Sequence, residues 1–92
     1  MEDIPAEDIP TTLALASNVL APAYLVLQSK GYRVSRKQAD GLELWIAEGN
    51  GLRFVADSTI ELLGVMAVYE ARGDSWRASD EEIEAFMRRF PL

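Results

Sequence analysis

The sequence predicts an α+β fold in which three antiparallel strands follow one N-terminal helix and precede two C-terminal helices. Two dipeptides, Asp40-Gly41 and Asn50-Gly51, separate three short segments rich in β-branched and aromatic residues. Both dipeptides favour the type I′ turn of a two-residue hairpin, which predicts a meander. Two serine–glutamate pairs with capping-box spacing then mark two helix starts after the third strand. The predicted order is α(α)βββαα.

The first ten residues contain an acidic repeat, Glu-Asp-Ile-Pro, that occurs twice. Proline favours extended geometry in the residue before it, here Ile4 and Ile9, so we predict a flexible acidic arm over residues 1–10. Residues 11–92 form the single predicted domain. The arm is either a solvated terminus or a segment whose two isoleucines dock on a neighbouring surface.

The N-terminal helix is predicted to begin at Thr11 or Thr12, whose hydroxyl could cap it. Pro22 interrupts this segment, because its ring clashes with the carbonyl group four residues earlier. The helix is therefore either kinked at Pro22 or split there into two, and it continues to Lys30. Gly31 is the predicted residue that ends it.

The two hairpin turns fix the strand register and place Trp45 opposite Arg36. Glu48 then lies between Arg33 and Arg53 and could form a cross-strand charge ladder. One side of the sheet, which we call the aromatic face, carries Tyr32, Val34, Trp45, Ala47, Leu52, Phe54 and Ala56. The other side, the second face, carries Arg33, Ser35, Lys37, Leu42, Leu44, Ile46, Glu48, Arg53 and Val55.

The segment from Asp57 to Gly73 is predicted to be a central helix that is apolar almost all the way round. Ser58 and Glu61 have capping-box spacing at its start. A helix without a polar side is normally buried on several sides, so other parts of the chain or a second copy should cover it.

Gly64 lies in the middle of this helix. With Ile60, Ala67 and Ala71 it forms a groove of small side chains along one side of the helix. Glycine costs about 1 kcal/mol relative to alanine at such a position. Two interpretations explain it. Either the helix packs closely on the aromatic face, or it crosses another helix at a dimer axis.

The last helix is predicted to start with the capping box formed by Ser79 and Glu82, and Pro91 should end it. Its apolar residues fall on one side and comprise Ile83, Phe86, Met87 and Phe90. Trp76 lies in the linker before this helix. It is either a plug between two helices or an exposed binding anchor.

The composition excludes several classes of function. The chain has no histidine and no cysteine, which removes the common nucleophile–histidine pairs and the common zinc sites, and it contains no nucleotide-binding motif. We therefore predict no enzymatic activity, no metal and no cofactor. The net charge of −6 disfavours nucleic acid as a partner. No apolar run is long enough to span a membrane, and the acidic N-terminus and absence of cysteine predict a cytoplasmic protein.

The leading functional prediction is a small bacterial-type protein–protein interaction domain that forms a homodimer or binds another protein. We base this prediction on the amount of apolar surface, which is more than one short chain can bury. If the helices cover the aromatic face, the second face remains exposed, and an exposed apolar patch usually marks an interface. Burial of the second face under the N-terminal helix is the alternative. The candidate interface residues are Leu42, Leu44, Ile46, Val55, Arg33, Lys37, Arg53, Gly64 and Trp76.

Two other functions remain open. The first is an inhibitor or immunity-type protein that neutralises a basic partner, such as a nuclease toxin, through an acidic surface formed by Asp74, Asp80, Glu81 and Glu84. The second is a small-molecule binding domain with an aromatic pocket lined by Trp45, Phe54, Tyr32 and Tyr69.

Overall fold

The structure, a computed structural model, describes residues 10–15 and 17–91. It has the predicted α+β fold, and the arm residues Ile4 and Ile9 lie outside the described residues. In chain order the elements are α1 (Leu20–Ser29), β1 (Arg33–Ala39), β2 (Leu42–Gly49), β3 (Leu52–Ala56), α2 (Thr59–Arg72) and α3 (Asp80–Arg89). Single 3₁₀ turns precede α1 and follow α2.

The sheet is the predicted antiparallel meander with strand order β1-β2-β3. The register is also confirmed, since Trp45 lies opposite Arg36 in β1 and Ala56 in β3. In both hairpins the two turn residues have positive φ, as a type I′ turn requires: 52° and 78° at Asp40-Gly41, and 53° and 76° at Asn50-Gly51.

The core lies between the aromatic face and the helices α1 and α2. Its buried members are Leu27, Tyr32, Ala47, Phe54, Leu62 and Met66. The Phe54 ring packs against two others, with ring centroids 5.7 Å from Tyr32 and 6.1 Å from Tyr69. The hydroxyl group of Thr59 donates a hydrogen bond of 2.7 Å to the carbonyl oxygen of Leu20 and so joins the starts of α2 and α1.

The N-terminal helix is present, but its predicted start at Thr11 or Thr12 is wrong. Residues 10–15 are not helical, and α1 begins only at Leu20. Pro22 therefore lies in the first turn of α1, where a missing N–H group breaks no intrahelical hydrogen bond. The preceding leucines, Leu13 and Leu15, are exposed, so no packing compensates the entropy cost of ordering a short helix before the proline.

The central helix α2 is covered on only one side, which corrects the expectation of burial on several sides. Leu62 and Met66 are buried in the core, whereas Val65 and Val68 are exposed. The reason is the size of the sheet. Its two outer strands are about 10 Å apart, and helices pack about 8–10 Å from one another, so two helices side by side cover one face and no third helix fits above them.

Candidate protein-interaction surface

Helix α3 is amphipathic, and its apolar side is exposed. Its start has the predicted capping box, in which Ser79 Oγ accepts from Glu82 N and Glu82 Oε1 accepts from Ser79 N. Within the described chain none of its ten residues is buried. Four apolar side chains, which we call the α3 stripe, are between 45% and 55% exposed: Ile83, Phe86, Met87 and Phe90.

An arginine at the end of α2 holds the start of α3. Arg72 Nη2 donates to both carboxylate oxygens of Glu82, at 2.9 and 3.1 Å, and Arg72 Nε donates to the carbonyl oxygen of Ser75 at 3.0 Å. We call this arrangement the Arg72–Glu82 clamp. The hydrogen bond from Arg72, together with the one from the Ser79 backbone, lowers the pKa of Glu82 from 4.5 to about 2.

The lowered pKa predicts a specific loss of stability in acid. Because the pKa of Glu82 is lower in the folded state than in the unfolded state, its stabilising effect is complete above about pH 4.5 and is lost as the pH falls toward 2. We expect the free energy of unfolding of Glu82→Gln to fall less than that of the natural chain between about pH 5 and pH 2.5. Urea titrations at the two pH values measure this difference. Glu84→Gln, which removes an exposed carboxylate of the same helix, should behave as the natural chain does.

A shallow apolar groove of ≈ 690 Å³ runs along the exposed side of α2. Its lining, which defines the α2 groove, is Ala56, Asp57, Ile60, Glu61, Gly64, Val65 and Val68. Gly64 is exposed. Apart from the neighbouring backbone of α2, no atom of the described residues lies within 4 Å of the place that a Cβ atom on Gly64 would take. The interpretation that Gly64 allows close packing on the aromatic face is therefore wrong.

Trp76 lies beside the groove. With Val55, Val65 and Tyr69 it lines an adjoining pocket between β3 and α2, and its side chain is 41% exposed. The guanidinium carbon of Arg77 is 4.7 Å from the centre of the indole ring. Trp76 is thus half-covered by its own chain and leaves part of its ring available at the surface.

The second face of the sheet is only partly available. Leu42 and Val55 are exposed and Leu44 is half-buried. Ile46 is only 6% exposed, which corrects its place among the candidate interface residues. It lies on the central strand between Ser35 and Val55, so neighbouring side chains flank it on both sides.

The charged residues of the second face do not form the expected ladder. The register places Glu48 opposite Arg33 and Arg53. However, the ion pairs within 4.0 Å in the described part of the chain are Lys30–Glu70, Arg36–Glu43 and Arg72–Glu82. Arg33, Lys37 and Arg53 are exposed.

The four candidate acidic residues, Asp74, Asp80, Glu81 and Glu84, are all exposed, as the inhibitor hypothesis requires. They are nevertheless interspersed with arginines of the same segment, namely Arg72, Arg77, Arg88 and Arg89. The surface around α3 therefore carries both signs of charge, which weakens the attraction for a basic partner.

The four aromatic residues of the predicted pocket do not line one common cavity. Tyr32 and Tyr69 pack against Phe54, and all three belong to or border the core. Trp45 lines a separate cleft of ≈ 740 Å³ between α1 and the starts of β2 and α2, whereas Phe54 and Tyr69 line the pocket beside Trp76. The Arg36 guanidinium carbon lies 5.5 Å from the Trp45 ring centre, and Arg36 also pairs with Glu43 at 3.5 Å. The predicted aromatic pocket is therefore divided between two places on the surface.

The sequence placed Gly64 and Trp76 among the candidate interface residues. It did not place the α3 stripe, or Val65 and Val68 of the α2 groove, among them. The signal was available. Three helices with apolar sides were predicted for a three-stranded sheet, and one face of such a sheet holds two. A third helix therefore had to cover the second face or leave its apolar side off the sheet, and α3 leaves its apolar side exposed.

Across residues 10–15 and 17–91, no helix is long and apolar enough to cross a membrane, and no three acidic side chains come together as a metal site would require. Comparison of the chain with protein-family models, curated proteins and solved structures gave no significant match.

Proposed function

We propose that this chain is a non-enzymatic protein–protein interaction domain that associates with a second copy of itself. The observation that supports the proposal is the state of α3, a capped helix whose apolar stripe is about half exposed along its whole length. A helix of ten residues is only marginally stable in water without tertiary packing. Packing of the stripe against a partner supplies that stabilisation.

The size of the exposed surface is appropriate for a dimer. Four half-exposed side chains of this size present on the order of 400 Å² of apolar surface, which is already as large as the largest patch on a typical monomer. The α2 groove adds the exposed parts of Val65 and Val68, and Trp76 beside it is 41% exposed. Each partner contributes ~800 Å² to a stable interface of standard size, so the dimer needs both surfaces.

The charge of the chain gives the association a characteristic salt dependence. Two copies with a net charge of −6 repel each other at long range, so most of the attraction must come from apolar burial. Added salt screens the repulsion and should strengthen self-association, whereas it would weaken a complex with a basic partner.

Phe86→Asp tests the proposal. Burial of one large apolar side chain contributes about 1.5–3 kcal/mol, so this variant should raise the dissociation constant of the dimer by at least about tenfold in sedimentation equilibrium. Glu81→Ala on the same helix should leave the constant unchanged. A natural chain that remains monomeric at roughly 100 μM, a concentration that populates even weak dimers, would contradict the proposal.

A further inference from the structure

We infer that α3 of one copy lies antiparallel in the α2 groove of the second copy, and that the second copy returns the same contact. This inference rests on the proposed self-association and adds the surface, the direction and the symmetry of the dimer. Because each stripe meets a groove and each groove meets a stripe, the contact closes as a two-fold dimer and leaves neither surface exposed.

The spacing of the α3 stripe suits a contact between a helix and a groove. An amphipathic helix binds a groove through apolar residues at i, i+3, i+4 and i+7, which is the spacing of the α3 stripe. In the groove, Gly64 lies between the flanking apolar residues Ile60 and Val68. The missing side chain of Gly64 lets a second helix approach closely, so that the aromatic rings of the stripe can reach the helix surface.

The charges set the direction. Asp57 and Glu61 are at the edge of the groove, near the start of α2. The last turn of α3 carries Arg88 and Arg89, whereas its first turn is acidic. An antiparallel arrangement brings the two arginines to the acidic end of the groove, and a parallel arrangement would bring carboxylates together there.

The groove is not filled by α3 of the same chain. Val65 and Val68 in the groove are exposed while the α3 stripe is also exposed, so the two surfaces do not meet within one copy. The Arg72–Glu82 clamp and the hydrogen bond from Arg72 to the carbonyl oxygen of Ser75 hold the linker in this conformation. A second copy that brings its own α3 is therefore the occupant that fits.

Disulfide cross-linking tests the arrangement, because the chain has no cysteine of its own. A Val68→Cys chain is mixed with either an Ile83→Cys chain or a Phe90→Cys chain and oxidised mildly. The two α3 positions are about 10 Å apart along the helix. We expect cross-linking of the mixed pair with Ile83→Cys to exceed that with Phe90→Cys. Leu25→Cys, exposed on α1, is the control and should not cross-link to Ile83→Cys.

Three results would overturn the inference. Preferential cross-linking to Phe90→Cys would show the parallel direction. A disulfide within one chain of the double variant Val68→Cys/Ile83→Cys, in monomeric protein, would show that α3 folds onto its own groove. A dimer in sedimentation without any mixed cross-link would show that the copies associate elsewhere. This last result leaves the proposed function standing, whereas absence of a dimer removes both.

Gly64→Gln separates association from folding. Glutamine favours helix over glycine, so the melting temperature of the monomer should rise by a few degrees. The longer side chain fills the groove, so the dissociation constant should increase at least about tenfold, the effect of losing one buried large side chain. Ala71→Gln, also exposed on α2 but outside the groove lining, should leave the constant unchanged. A Gly64→Gln variant that dimerises as tightly as the natural chain would overturn the inference.

Discussion

Replacement of Leu62 by alanine is expected to lower the free energy of unfolding by about 2–5 kcal/mol. Leu62 is fully buried and belongs to the core cluster between α2 and the aromatic face. Removing its methyl groups loses their transfer free energy and leaves a cavity that closely packed neighbours such as Met66 only partly fill. A domain of this length has roughly 5–14 kcal/mol in total, so the change removes a large part of its stability.

Urea denaturation followed by circular dichroism measures the effect of Leu62→Ala. Val68→Ala is the matched control, because it shortens an exposed side chain of the same helix and should change the free energy of unfolding by less than about 1 kcal/mol. Since Val68 is also part of the α2 groove, both variants are compared in the Phe86→Asp background, in which dimerisation is weakened. A similar effect of the two substitutions would contradict the burial of Leu62.

Replacement of Gly49 by alanine is expected to be as damaging, although it adds only one carbon atom. A Cβ atom on Gly49 would lie 2.5 Å from the carbonyl oxygen of Gly31 and 3.2 Å from both Cα and Cδ1 of Tyr32. The oxygen and Cα are backbone atoms between α1 and β1, so relief of the clash requires the sheet edge and α1 to separate. Overpacking of this kind costs about 1–3 kcal/mol or more.

Gly64→Ala is the control for Gly49→Ala. It adds the same atom to the same chain, but at a position with open space around it, and it should raise the free energy of unfolding by about 0.5–1 kcal/mol because alanine favours the helix. Opposite signs for the two glycines are therefore expected in denaturant titrations, again in the Phe86→Asp background. Equal, small effects would mean that Tyr32 and Gly31 do not approach Gly49 as described.

The strand register was predictable because its causes are local. Asp40-Gly41 and Asn50-Gly51 tolerate positive φ at both central turn positions, and this choice alone aligns each pair of strands. The starts of α2 and α3 were predictable for the same reason, since each capping serine bonds to a backbone N–H only three residues away. The start of the N-terminal helix was not, because extension of the helix before Leu20 depended on packing that Leu13 and Leu15 do not have.

The candidate surface was predictable only in part. Gly64 and Trp76 are exposed, as a place among the candidate interface residues requires, whereas Ile46 was expected at the surface and is buried. Alternation along a strand assigns a residue to a face of the sheet, but it does not indicate how much its neighbours cover. For Ile46 that coverage depends on its position on the central strand between Ser35 and Val55.

The sequence by itself determined the elements of this protein, their order, the register of the sheet and the sidedness of α3, because turns, caps and periodicity act within a few residues. Only the tertiary structure decided which apolar sides meet inside one copy. Helices α1 and α2 cover the aromatic face of the sheet, and the Arg72–Glu82 clamp holds α3 beyond it with the α3 stripe exposed. The physical reason is geometric: a local pattern specifies that a side chain is apolar, but the area available for its burial is set by the size of the whole sheet.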